Sequence, residues 1–130
     1  MGAYKYIWRE KNLKIAQKIA QVLGDSMELP ITRSDEQMVK DAHDWLLDNN
    51  VSEALSCLQT AKRENPGNAD WQDLYTLLLD NETQRIKETL KTANGKGTTF
   101  LFQELPALIK AGLPVQMERE GDQLHISITL

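Results

Sequence analysis

IKETLKTANGKGTTFLFQELPALIKAGLPVQMEREGDQLHISITL, residues 86–130, is the stretch that decides the fold class. Ile86, Leu90 and Ala93, then Leu101, Leu105 and Leu108, recur at helical spacing and run into Ala111-Gly112-Leu113. Beyond Gly112 the period changes from about 3.6 to 2: Val115 and Met117 alternate with polar residues, and Leu124, Ile126 and Ile128 do the same. Glu120-Gly121-Asp122 supplies a turn between these runs, so they read as an antiparallel hairpin. A strict period of two places one face on the helices and leaves the other, with His125, Ser127 and Thr129, in water. Pro106 is the irregularity in the preceding helix, Thr98 to Ala111. An interior proline removes a backbone hydrogen bond and costs about 3 kcal/mol unless the helix bends, so the element is either kinked or split into two short turns.

Working back along the chain, Asn94-Gly95-Lys96-Gly97 reads as a loop, and Trp71, Leu74, Tyr75 and Leu78 mark a separate helix before Ile86. Asn65-Pro66-Gly67-Asn68 is four turn formers in succession. A helix from Ser52 to Glu64 points Ala54, Leu55, Leu58 and Ala61 inward. The helix before it starts near Asp35, where Ser34 and Gln37 have capping-box spacing, and ends at Asn49-Asn50. Its buried face is expected to hold Met38, Ala42 and Trp45, with Val39 and Leu46 beside them. Leu29-Pro30 marks a linker. From Asn12, Leu13, Ala16, Ala20 and Leu23 form a stripe widened by Ile15, Ile19 and Val22, and Gly24 is placed as its stop. Tyr4, Tyr6 and Trp8 alternate with Lys5, Ile7 and Arg9, the period of a short strand. The fold expected is mainly α: five or six helices with a small C-terminal antiparallel β-hairpin, open to an N-terminal strand joining it. One domain, 1–130, would comprise a basic segment (1–24), a helical part (34–94) and a helix plus hairpin (98–130).

Hydrophobic residues at 41% and charged residues at 26% are globular values and argue against wholesale disorder. A single cysteine, Cys57, excludes an internal disulfide. No apolar run approaches the roughly 20 residues that span a bilayer, and no secretory segment follows Met1, so a soluble, cytoplasmic protein without membrane contact is expected. The net charge of −4 is unevenly placed: residues 1–23 sum to +4 and the rest to −8. Lysines on the wet face of an ordinary helix account for the first value; a contact arm is the sharper alternative.

Two partial resemblances follow. The stretch 35–68 resembles a single tetratricopeptide repeat, with Ala42, Ala54, Leu58, Ala61 and Pro66 at that family's spacings. Met38 replaces the usual aromatic, Trp45 stands where a tyrosine is common, and one unit is present where arrays need about three. The resemblance implies a close-packed helical hairpin. The stretch 86–130 resembles a winged helix, with Ile86 and Leu90 on its second helix, Leu101, Leu105 and Leu108 on its third, and Val115 to Thr129 as the wing. That family binds nucleic acid or protein, and charge decides between them. The helix that would read bases offers Thr98, Thr99, Gln103 and Glu104, with Lys110 alone near its end, and the wing holds Glu118, Arg119, Glu120 and Asp122. Three acids against one base repel phosphate, so nucleic acid is disfavoured as a partner.

Catalytic and metal chemistry find no motif, so no enzyme activity, cofactor or metal is expected. Asn94 to Thr99 lacks the glycine spacing and the magnesium-binding Ser/Thr of a phosphate loop. His43 and His125 have no partner at ligand spacing, and Cys57 has no nearby base to activate it. Asp41, Asp44 and Asp48 share a helix face, with Asp25 and Asp35 upstream, but lack a calcium loop's glycine. Such a face is ordinarily just solvated; it can also dock a basic protein. The functional expectation is a small protein-binding module (an adaptor, a chaperone or an inhibitor) using Asp41, Asp44 and Asp48. A second edge would be Phe102, Gln103 and Glu104 with the hairpin. The alternative is a winged-helix nucleic-acid-binding regulator that uses the basic first segment.

Overall fold

The computed structural model describes residues 2–93, 98–121 and 123–128, and at both ends of the chain, around 90–103 and in parts of the hairpin it describes backbone alone. Five α-helices precede one two-stranded antiparallel sheet among the described residues: α1 (Gly2–Leu23), α2 (Ser34–Leu47), α3 (Val51–Glu64), α4 (Ala69–Ala93), α5 (Thr98–Lys110), β1 (Val115–Glu120) and β2 (Gln123–Ile128). A single 3-10 turn, Gly24–Met27, follows α1. The expected class, mainly helical with a C-terminal hairpin, is the one observed.

The N-terminal strand is not. Residues 4–9 belong to α1, and the reason lies in its buried stripe: Trp8, Asn12, Ile15, Ala16, Ile19 and Leu23 recur at three- and four-residue steps. Trp8 is buried while Ile7 is 51% exposed, so the helical face runs through the segment whose alternation suggested a strand. Polar–apolar alternation over six residues is too short to outweigh a stripe that continues for four turns.

α2 and α3 form an antiparallel hairpin, and Ala42, Ala54 and Ala61 are fully buried in it, where small side chains let helix backbones approach. The α2 stripe is Val39, Ala42 and Leu46, not Met38, Ala42 and Trp45. One residue is about 100° of helix rotation, enough to carry Trp45 to 37% exposure and bring Leu46 to 1%. Nor does the Ser34–Gln37 capping box form. Arg33 occupies the cap position without a side-chain bond, and the Ser34 hydroxyl donates to Glu64 across the hairpin at 3.1 Å. Asparagines do cap the next two helices. Asn50 accepts from the Glu53 amide, and Asn68 accepts from the amides of Asp70 and Trp71.

α4 is one 25-residue helix where two were expected. The polar stretch Asp80–Thr83 does not interrupt it, and Glu82 and Thr83 are both 2% exposed. Each finds a local partner: Arg85 Nε donates to Glu82 at 2.7 Å, and the Thr83 hydroxyl donates to the Leu79 carbonyl at 2.8 Å. Satisfied polar groups do not end a helix. α5 likewise runs through Pro106, which sits exposed on its outer side.

The hairpin pairs Val115 with Ile128, Met117 with Ile126 and Glu118 with His125. Val115 is buried, Met117 and Ile126 pack on the core, and Gln116, Glu118 and Ser127 are exposed, as the alternation requires. The outward placement expected for the His125 side chain lies outside the described residues. Gly112, at φ +111°, joins α5 to the hairpin. A side chain there would be strained and would also collide with the Tyr75 hydroxyl, which donates to the Ala111 carbonyl at 2.6 Å. That contact ties α4 to the end of α5.

Candidate functional site

Asp41, Asp44, Trp45 and Asp48 fall at positions i, i+3, i+4 and i+7 of α2 and line one shallow groove of about 410 Å3 on its outer face. The three aspartates expected to act together are thus brought together. Trp45, assigned to the core from the sequence, stands among them. Asp41 accepts from the Gln37 amide at 3.0 Å, and Asp44 lies 3.0 Å from His43 Nδ1. Neither they nor Asp48 pairs with a lysine or arginine among the described residues. Asp44 and Asp48 also sit at the C-terminal end of α2, where the helix dipole is already negative and no basic residue occupies the last turn. The result is a local row of carboxylates around an exposed aromatic ring.

Their charge is felt nearby. The half-buried Cys57 thiol is pushed up to about 11 by burial, with Asp41 and Glu53 adding to the shift. It stays protonated and packs against the core, as expected of a small inert thiol.

Asp35, upstream of this acidic face, has a different role. It is 6% exposed and accepts four hydrogen bonds: Arg33 Nε at 3.1 Å, Arg33 Nη2 at 2.6 Å, Asn65 Nδ2 at 3.1 Å and Trp71 Nε1 at 2.9 Å. Burial alone would raise its pKa. The bonds from Trp71, Asn65 and Arg33, with the Arg33 charge, outweigh that and hold the carboxyl at about 2. The cluster joins the start of α2 to the α3–α4 turn and the first turn of α4.

Glu104 too has an internal partner. Arg85 Nη2 donates to it at 2.9 Å while the same guanidinium holds Glu82, strapping α5 to α4. Burial would lower the Arg85 pKa, but its bonds to Glu82 and Glu104 and their charges raise it further above its ordinary value. The Phe102 and Gln103 side chains, proposed beside Glu104, lie outside the described residues.

A second groove, about 280 Å3, lies between α1 and α4. Ile15 and Leu77 give it an apolar floor; Lys11, Lys14 and Lys18 rim it, and Asn81 closes one end by donating to Asn12 Oδ1 at 3.0 Å. Lys11 Nζ rests 4.4 Å from the centre of the Trp8 ring. The basic character of this segment was visible in the sequence. The groove was not, because Leu77 arrives from a helix some 60 residues away.

No group of three or more His, Cys, Asp or Glu residues is arranged to hold a metal among the described residues, and no described helix is long and apolar enough to cross a membrane. Compared with known proteins, the chain matches no family model, no curated protein and no solved structure. The tetratricopeptide and winged-helix resemblances therefore rest on their own residues alone.

Proposed function

We propose that this protein is a protein-binding module whose α2 face docks a basic partner. The observation that carries the reading is the exposed Trp45 ring set among Asp41, Asp44 and Asp48, none of them paired with a lysine or arginine among the described residues. A lysine or arginine side chain meets both parts of that surface. Its charged head finds carboxylates, and its stem or guanidinium plane lies on the indole. Exposed tryptophans are also the residues around which binding energy concentrates in protein interfaces. A compact helical hairpin with a buried alanine seam provides the rigid support, which is the part of the tetratricopeptide resemblance that bears on function. The same chemistry suits an adaptor, an assembly chaperone or an inhibitor that imitates the charge of nucleic acid.

The test is calorimetric titration with a helical peptide carrying lysines at i, i+3 and i+7, at low and at high salt. Binding that weakens with salt and is lost in Asp41→Asn/Asp44→Asn/Asp48→Asn supports the reading. Equal binding by this variant, or none by the parent protein, refutes it. Binding of random-sequence duplex DNA at physiological salt would instead favour the regulator alternative.

A further inference from the structure

We infer that the occupant of the α1/α4 groove is the α2 face of a second copy of this chain, so that the protein associates with itself head to tail. The inference rests on the docking role proposed for α2 and names the partner of that face.

The two faces match in register. Lys11, Lys14, Ile15 and Lys18 on α1 have the spacing i, i+3, i+4, i+7, and Asp41, Asp44, Trp45 and Asp48 on α2 have the same spacing. In each set three like charges surround one apolar residue, with opposite signs in the two sets. Both sets line a groove on the surface. At a rise of about 1.5 Å per residue, the three charges of each set span about 10.5 Å, so two helices laid side by side in parallel can pair all three at once.

The apolar centres match as well. The acidic groove holds the Trp45 ring, 37% exposed, and the basic groove holds Ile15 and Leu77, the latter 38% exposed. Lysine stems around that centre are themselves apolar surface, while their heads reach outward to carboxylates.

The complementarity is not used within one chain. No ion pair joins Lys11, Lys14 or Lys18 to Asp41, Asp44 or Asp48 among the described residues. The two faces use different residues, so the contact is heterologous: each copy keeps one donor face and one acceptor groove free. Such contacts form rings where the rotation closes and open chains where it does not. Charge pairs at an exposed rim are screened by salt over about 8 Å at physiological ionic strength, so association is salt-sensitive.

Sedimentation velocity of the full chain over a hundredfold range of concentration tests this at low salt and in 0.5 M salt. The expected result is a weight-average sedimentation coefficient that rises with concentration at low salt and falls back to the monomer value at high salt. Lys11→Gln/Lys14→Gln/Lys18→Gln and Asp41→Asn/Asp44→Asn/Asp48→Asn, each exposed enough to keep the fold, should each be monomeric alone. Mixed in equal amounts they should form a capped 1:1 dimer that grows no further, because one supplies the acidic face and the other the basic groove. A parent protein that stays monomeric throughout, variants that still associate alone, or a mixture that stays monomeric would overturn the inference. If the parent is monomeric yet its α2 face still binds the lysine peptide, self-association fails and the docking role stands. If it binds neither, both fail.

Discussion

Asp35 and Trp45 stand ten residues apart on α2 and exchange the roles that their chemistry suggests: the carboxylate is buried and the indole is exposed. Burial of Asp35 is tolerable because four donors take the place of water, and each bonds more strongly to the charged carboxylate than to its protonated form. Its carboxyl is held at about 2 against an ordinary 3.8, so the stabilisation is fully present above pH 3.8 and is lost as pH falls through 2. The shift corresponds to about 2 kcal/mol. Urea titrations at pH 7, 3.5 and 2 should show this loss in the parent protein. Asp35→Asn should be less stable at pH 7 and flatter across the same range; a variant with the parent's stability and slope would show that the cluster contributes nothing. For the indole the prediction runs the other way. Trp45→Ser, at an exposed position, should cost less than about 1 kcal/mol, whereas Leu46→Ala next to it should cost about 2–5 kcal/mol. Thermal melts that rank the two in the opposite order would restore Trp45 to the core.

Whole elements were more legible than their rotation about their own axes. The helix over 52–64 and both strands of the hairpin followed from spacing because their apolar residues admit one face only. α2 admits two, since Met38–Trp45 and Val39–Leu46 are equally good stripes, and only packing against α1 and α3 chooses between them. The break expected inside α4 failed for a related reason: Glu82 and Thr83 look like solvent residues until their partners Arg85 and Leu79 are counted. The candidate site was half legible. The aspartate stripe is a pattern along one helix, whereas the basic groove needs Leu77 from α4, and no local spacing reports that. The hairpin provides a direct check on the register that was read correctly. Ile126 packs on the core and Ser127 is exposed, so a one-residue step moves a charge from inside to outside. Ile126→Asp should lower the denaturant midpoint sharply, and Ser127→Asp should leave it near the parent value. Equal effects would mean that the strand faces are reversed.

The molecule's charge is unevenly placed along the chain. Five of its 15 basic residues lie in the first 23, and the remaining 107 residues sum to −8. Structure converts that imbalance into two grooves of opposite sign on different helices, α1 with α4 and α2 alone, each with an apolar centre. A fold this small, with a continuous core from Ile15 to Val115, provides rigid backing for both. Protein recognition through the acidic groove is the proposed role, and Trp45 reports on it from within. The chain has three tryptophans, of which Trp8 and Trp71 are buried, so incorporation of 5-fluorotryptophan gives three fluorine resonances, one from the exposed ring. Assigned through Trp45→Phe, the Trp45 resonance should shift on addition of a lysine-bearing helical peptide at low salt, and return as salt is raised, while the Trp71 signal stays in place. A Trp45 signal that does not respond to the peptide would contradict the assignment of the α2 face as a docking surface.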